Sequence, residues 1–330
     1  MQVLLTGATG FLGRRILKRL RIEGHVVRCA VRATSDVKSL CEFVGEELWA
    51  GVETRVANLH VDQDCEQLVR GCRVVFHAAA ALGGCPSNLF LNTNVPTRSL
   101  MTAAGNSLDV DRFVLVSSLG VYGPQKLKSR SVIDESAPID DTPHLRDPYT
   151  YSKVVQEQIA WKLSRDLLLP LVVIRPGVIF GDERGVLSHR IGLPIGNWML
   201  RMGGRQRLPF TYVNNCADAV VLAGFADNVE SQAINVVDDD LPNGKQVIRK
   251  YRNSGRKLRV LPVPRFAINW LARINEWYSR KTENQIPVVL TRHRTNAMWR
   301  SFRYSNQKAK DLLQWTPSVS IQKAIEKSLG

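Results

Sequence analysis

The sequence predicts an α/β chain: a doubly wound parallel sheet with a smaller, mainly helical C-terminal substrate lobe. Two observations carry this. Short apolar runs alternate with amphipathic helical stretches throughout residues 1–175, the pattern of parallel strands joined by helical crossovers. Beyond Pro176 that alternation stops, and residues 241–330 read as mostly helical. The chain of 330 residues is long enough for a large core and a second lobe. The expected division is a sheet domain over 1–175, to which 208–240 returns, and a substrate lobe made of 176–207 and 241–330.

The chain opens on Val3-Leu4-Leu5, an apolar run suited to a strand covered on both faces. Gly7, Gly10 and Gly13 follow with the spacing G-x-x-G-x-x-G, and residues 14–23 then read as a helix. Gly7 permits a turn too tight for a side chain, Gly10 lets a dinucleotide pyrophosphate approach the backbone, and Gly13 lets the helix lie close to the strand. Free N–H groups at the helix start favour the phosphate charge. This is a Rossmann arrangement, with Thr6, Gly7, Thr9, Gly10, Phe11, Leu12 and Gly13 as the candidate cofactor loop. The strand begins at once with no long apolar segment after it, so no secretory signal is expected.

Residues 25–31 read as a second strand that ends at Arg32. An acidic residue usually sits there where NAD is preferred, whereas an arginine accommodates the 2′-phosphate of NADP. NADP is therefore the preferred cofactor and NAD the alternative, in which Arg32 stacks on the adenine face. A helix over 37–48 and a strand over 52–56 lead to Asn58 and Leu59, expected near the adenine. A helix over 64–70 precedes a strand over 73–77, which runs into Ala78, Ala79 and Ala80, small enough for close cofactor approach. His77 has no partner motif and reads as a packed, hydrogen-bonded residue. A long helix over 89–106 carries Asn94, a further cofactor candidate.

A fifth strand over 112–116 ends in Ser117-Ser118, and a sixth over 166–174 stops at Arg175-Pro176-Gly177. Ligands of such sheets bind outside the carboxyl ends of the strands. Gly7, Arg32, Asn58, Ala78, Ser118 and Pro176 all fall at such ends and converge on one crevice. Residues 178–208 read as loops with a helix near Trp198. A strand over 208–213 then feeds a helix from Asn214, and 233–237 is a further strand.

Asp147-Pro148-Tyr149-Thr150-Tyr151-Ser152-Lys153 is the stretch with catalytic chemistry. Pro148 suits a helix start, which puts Tyr149 and Lys153 one turn apart on one face. A phenol with a pKa near ~10 is a poor proton donor at neutral pH, and a neighbouring ammonium lowers it. Ser118 is the third member, hydrogen-bonding a substrate oxygen while Tyr149 exchanges the proton. Tyr151, two residues from Lys153, points elsewhere on the helix.

Thr6-Gly7-Ala8-Thr9-Gly10-Phe11-Leu12-Gly13, Val116-Ser117-Ser118-Leu119-Gly120-Val121-Tyr122-Gly123 and Pro148-Tyr149-Thr150-Tyr151-Ser152-Lys153 resemble the extended short-chain dehydrogenase/reductase superfamily, the NAD(P)-dependent sugar epimerase/dehydratase group. Arg175-Pro176-Gly177-Val178 resembles its turn over the nicotinamide. Tyr304 to Lys310 with Leu313-Gln314-Trp315-Thr316-Pro317 resembles its C-terminal ending. The resemblance implies Ser118, Tyr149 and Lys153 as the catalytic set, with Lys153 also on the nicotinamide ribose, cofactor contacts from Pro176, Gly177 and Val178, and a homodimer through helices at 88–107 and 149–165.

Residues 26–32 and 286–292 are similar to the dihydroflavonol reductase, hopanoid-associated epimerase and 3β-hydroxysteroid dehydrogenase-like branch. Three departures weaken a nucleotide-sugar substrate. Asn58 stands where the group commonly has Asp, Asn214-Asn215 where it has an acidic pair, and Leu208-Pro209-Phe210 lacks an arginine that often contacts a substrate diphosphate. The readings are an epimerase, dehydratase or reductase acting on a nucleotide sugar or a carbonyl or secondary alcohol, an apolar substrate among them. The alternative is a non-catalytic NADP-binding protein.

The net charge of +15 is localised. Residues 245–310 hold 17 of the lysines and arginines and only two acids, Glu276 and Glu283, while the rest of the chain is neutral. A basic lobe suits an anionic partner, but no nucleic-acid motif accompanies it. Phe266, Trp270, Leu271, Ile274, Trp277 and Tyr278 recur at helical spacing among Arg265, Arg273, Arg280 and Lys281. Such a stripe is the core of the small lobe, the wall of an apolar pocket, or an interfacial helix on anionic lipid. The six cysteines are scattered without metal spacing and read as thiols of a reducing compartment, so the chain is expected to be cytoplasmic.

Overall fold

Seven parallel strands form the central sheet. The computed structural model describes residues 1–202, 204, 206–282 and 291–330. The chain begins with β1 (Gln2–Thr6), α1 (Gly13–Ile22), β2 (Val26–Val31), α2 (Val37–Val44), α3 (Glu46–Trp49), β3 (Val52–Val56), α4 (Asp62–Val69) and β4 (Val74–His77). Next come α5 (Pro86–Leu89), a π turn (Phe90–Asn94), α6 (Val95–Gly105), β5 (Arg112–Val116), β6 (Val132–Ile133), α7 (Pro148–Asp166), β7 (Leu171–Pro176) and β8 (Val178–Phe180). The second half holds β9 (Gly192–Ile195), β10 (Trp198–Arg201), β11 (Phe210–Tyr212), α8 (Val213–Phe225), β12 (Gln232–Val236), α9 (Gly244–Asn253), β13 (Arg259–Pro262) and α10 (Arg265–Lys281). It closes with α11 (Arg292–Trp299), β14 (Arg303–Tyr304), α12 (Gln307–Leu313) and α13 (Ile321–Lys327).

The order across the sheet is β3-β2-β1-β4-β5-β7-β12. The strand order reverses between β1 and β4, and sheets of this kind take their ligand at such a reversal. Alternation along β1 shows why both faces are covered: Val3 and Leu5 pack with Ile16, Leu17 and Leu20 of α1, while Leu4 packs with Leu68 of α4 and Leu100 of α6. The smaller sheets β13-β10-β9, β11-β8 and β14-β6 lie outside this frame.

Four expectations are corrected. The helix over 37–48 breaks at Gly45, whose φ of +94° ends α2. The helix over 89–106 starts at Pro86 and contains the π turn. The strand expected over 166–174 begins at Leu171, because α7 runs through Asp166 and the chain then turns at Leu168 with φ +53°. Trp198 lies on no helix. It pairs with Ile195 in the antiparallel hairpin β9–β10, whose two-residue turn starts at Gly196 with φ +53°. Residues 286–290 of the reductase-like segment lie outside the described residues.

A buried polar cluster locks α7 onto the sheet. Arg175 at the end of β7 reaches Glu157 of α7 through Nε–Oε1 and Nη2–Oε2, at 3.0 and 2.6 Å. Ser117 donates to Glu157 Oε1 at 2.5 Å, and Arg175 Nη1 donates to the Tyr122 hydroxyl at 2.8 Å. The pairing holds the Arg175 guanidinium charged more firmly than usual despite burial, which by itself acts the other way. Glu157→Leu therefore leaves a desolvated cation behind, and urea unfolding is expected to show a loss of about 3–5 kcal/mol.

Asn215, one of the departures, holds the C-terminal segment. It donates to Asp238 and Val319 O, and accepts from Ser318 and Val319 N. A carboxylate cannot do both, and here it would face Asp238.

Candidate functional site

The crevice is built from the ends of the parallel strands. Gly7 has φ +73°, and a Cβ there would lie 2.7 Å from Ala79 N. A Cβ on Gly13 would lie 1.9 Å from the Gly7 carbonyl oxygen, so α1 can approach the loop only without a side chain. Thr9 and Gly10 remain exposed. Helix α1 begins with no side-chain cap and no acidic residue of its own in the first turn, so its positive end faces the loop, while Glu183 pairs with Arg14 and Arg15 beside it. This cradle fits a dinucleotide pyrophosphate, which Thr9 and Phe11 would approach; the Gly10 amide already donates to Gly7 O at 2.9 Å.

The remaining candidates separate into two groups. Arg32 is exposed beyond β2, its amide accepted by Ser35 Oγ at 3.0 Å. Asn58 is exposed beyond β3, its side-chain oxygen engaged by His60. Ala78, Ala79 and Ala80 are half-buried beyond β4. Gly177 and Val178 are also half-buried, and the Gly177 and Val178 amides are taken by Val236 O and Pro209 O. Thr6, Gly13, Asn94 and Pro176 are buried, while Leu12 and Leu59 pack partly against the core. Thr6 has its hydroxyl occupied by His77 and Ala79 N, and it supports the loop from beneath. Asn94 sits at the end of the π turn, where its Oδ1 accepts from Ser152 at 3.1 Å. Its Nδ2 is buried with no hydrogen-bond partner among the described residues. Local π turns recur at functional sites because they re-aim a side chain.

Ser118, Tyr149 and Lys153 meet at the ends of β5 and α7. Asp147 caps α7 by accepting from the Thr150 amide at 2.9 Å, and Pro148 occupies its first turn. Tyr149 is half-buried and hydrogen-bonded to Ser118, whereas Tyr151 is 39% exposed on another face. Burial pushes the Tyr149 phenol above its ordinary pKa. The groups drawing it down are Ser118 and Arg184, not the expected Lys153. Lys153 points to the end of β5, where its Nζ donates to Val116 O at 2.9 Å and Gln156 Oε1 at 2.8 Å. Burial lowers its ammonium to about 8, with Glu157 opposing the shift.

From Lys153 a buried hydrogen-bond chain crosses to the glycine loop. Gln156 Nε2 donates to Thr97 Oγ1 at 2.8 Å, and Thr97 donates to Thr93 O at 2.6 Å. Thr97 Oγ1 must then accept from His77 Nε2, 2.9 Å away. That assignment places the ring proton on Nε2 and leaves Nδ1 to accept from Thr6 Oγ1 at 2.7 Å. Sequence reasoning missed Gln156, Thr97, Glu157 and Arg184. Nothing local marks them, because each acts through a neighbour distant in the chain.

The sequence model of the NAD dependent epimerase/dehydratase family matches residues 3–236. The chain belongs to this family. It is accordingly an NAD(P)-dependent enzyme of the epimerase, dehydratase and dehydrogenase kind. It is 27% identical to the decarboxylating sterol-4-alpha-carboxylate 3-dehydrogenase of Candida albicans, over 99% of this chain and 96% of that one. It is 30% identical to cinnamoyl-CoA reductase 2 of Medicago truncatula over 54% of each chain, about half the length of that reductase. UDP-glucuronic acid 4-epimerase from Bacillus cereus, solved in complex with NAD, shares the fold of this family member. The TM-score is 0.73 at 20% identity, covering 100% of this chain and 97% of that one.

His77 gives the site a pH dependence. Burial, with the Lys153 charge adding to it, lowers the imidazole from 6.5 to about 3. The unfolded chain binds a proton near 6.5 and the folded one only near 3. Stability from neutral His77 is full above pH 6.5 and lost as pH falls toward 3. Urea midpoints at pH 7 and pH 4 should differ less for His77→Asn than for the parent.

Proposed function

We propose that the chain is a reductase or dehydrogenase acting at a carbonyl or secondary alcohol carbon of an apolar substrate. The observation carrying this is the convergence of Ser118, Tyr149 and Lys153 on the end of a sheet whose glycine cradle fits a dinucleotide. A bound nicotinamide cofactor supplies the hydride donor or acceptor. Ser118 hydrogen-bonds the substrate oxygen and orients it toward the Tyr149 hydroxyl. Tyr149 gives or takes the proton at that oxygen. Lys153 holds the start of α7 against β5 and would hold a ribose hydroxyl through its remaining N–H, and Asn94 Nδ2 offers a further buried donor.

Two features favour an apolar substrate over a nucleotide sugar. Leu208 and Phe210 are buried in the lobe's apolar cluster with Phe11, and this stretch carries no arginine for a diphosphate. The relatives by sequence are named as a sterol carboxylate dehydrogenase and cinnamoyl-CoA reductases. NADP as the preferred cofactor is supported by Arg32, exposed beyond β2 with Thr34 and Ser35 beside it. A homodimer through residues 88–107 and 149–165 is supported by Phe90 and Leu91 on the π turn and Tyr151 on α7, all exposed.

Tyr149→Phe is expected to lower kcat by about 10²-fold or more while leaving cofactor binding, measured by calorimetry, within about twofold of the parent. Survival of turnover in that variant overturns the mechanism. Net NADPH consumption with a ketone distinguishes this reading from an epimerase, which regenerates its cofactor. Arg32→Asp should raise the Kd for NADP by about tenfold or more and leave that for NAD little changed.

A further inference from the structure

Helix α10 is amphipathic the wrong way round for a helix that packs only on its own lobe. Among its described residues only Ile268 and Ala272 are fully turned inward, 2% and 0% exposed, and Ile268 packs with Met202 and Trp299. Its large apolar side chains face out. Phe266 is 76% exposed, Trp270 63% and Trp277 59%, with Leu271, Ile274 and Tyr278 also in solvent. At 3.6 residues per turn, Phe266, Trp270, Ile274 and Trp277 fall within an arc of about 80°. A monomer rarely exposes such a stripe without a partner.

The charges around the stripe say what kind of partner. Arg265, Arg273 and Lys281 are exposed on the same helix, and the Lys281 ammonium lies 4.8 Å from the Trp277 ring centre. Glu276, the one acid of α10, is drawn aside: it accepts from the Arg292 amide at 2.6 Å and pairs with the Arg292 guanidinium. The surrounding residues 245–310 carry the whole net charge of the chain. Leading into the helix, β13 exposes Leu261, and its sheet exposes Ile195 and Trp198, with the Arg259 guanidinium 5.5 Å from the Trp198 ring centre. Tryptophan and phenylalanine flanked by cations match the boundary between acyl chains and anionic headgroups. Among the described residues no helix is long and apolar enough to cross a membrane, so the contact is with one surface.

We propose that α10 docks the protein onto an anionic lipid bilayer, lying in the interface with Phe266, Trp270, Ile274 and Trp277 among the acyl chains and Arg265, Arg273 and Lys281 at the headgroups. The proposal uses none of the residues assigned to the reaction, and it stands whatever the substrate is.

The test is cosedimentation of the full chain with vesicles of phosphatidylcholine mixed with phosphatidylglycerol, and of phosphatidylcholine alone. The protein is expected to sediment with the anionic vesicles at low salt and to be largely released at about 1 M salt, where the Debye length is about 3 Å. Trp270→Glu with Trp277→Glu should weaken partitioning by about tenfold or more. Arg273→Glu with Lys281→Glu, a pair of solvent-facing changes, should bring it to the level seen with neutral vesicles. Absence of sedimentation of the parent with anionic vesicles overturns the proposal. So does sedimentation of both variants with anionic vesicles to the same extent as the parent. Conversion of a dimer to a monomer by the tryptophan changes, read by light scattering, also overturns it, since the stripe then covers a second copy of the chain.

Discussion

The buried pair between Arg175 and Glu157 is the constraint on which the site depends. The two residues lie 18 positions apart, one at the end of β7 and the other in the middle of α7. Their two-point contact fixes both the height and the rotation of α7 against the sheet. Ser117 joins the same carboxylate, so its neighbour Ser118 is set relative to the helix carrying Tyr149 and Lys153. A hydrophobic contact would hold the helix as close but would tolerate rotation. A bidentate guanidinium–carboxylate contact does not.

A second constraint works through absence of side chains. The 1.9 Å approach that a Cβ on Gly13 would make to the Gly7 carbonyl shows that α1 and β1 are locked together by van der Waals exclusion. The loop between them presents backbone, and the uncapped helix start presents positive charge. The chain through Thr6, His77, Thr97 and Gln156 joins this loop to Lys153. Every polar side-chain atom of these four residues has at least one partner, as a stable buried polar network requires. The glycine loop and the helix carrying Tyr149 and Lys153 are therefore parts of one hydrogen-bonded unit.

The second lobe follows a different logic. It is basic, its small sheet is short, and α10 turns its aromatic side outward. The central sheet buries apolar area on both faces and has no comparable exposed stripe along its covering helices. The charge and the exposed aromatics thus belong to the same part of the molecule, as expected where one surface serves a partner.

What the sequence determined by itself is the part of the molecule governed by local pattern. Period and glycine spacing placed the strands at 2–6, 26–31, 52–56, 74–77 and 112–116 within a residue or two, and put Tyr149 and Lys153 on one helical turn. Short parallel strands buried on both faces leave such a signal. Local pattern failed where turn chemistry dominates: at Gly45, at Leu168, and in the hairpin around Gly196, whose apolar flanks suit strand and helix equally. Tertiary structure alone decided the electrostatics of the site. Helical spacing suggested that Lys153 tunes Tyr149, but the ammonium turns to Val116 O and Gln156, and burial pushes the phenol up instead. It also decided which side of the stripe at 266–278 meets water. Periodicity defines a face, whereas only packing against Met202 and Trp299 says which face is inside.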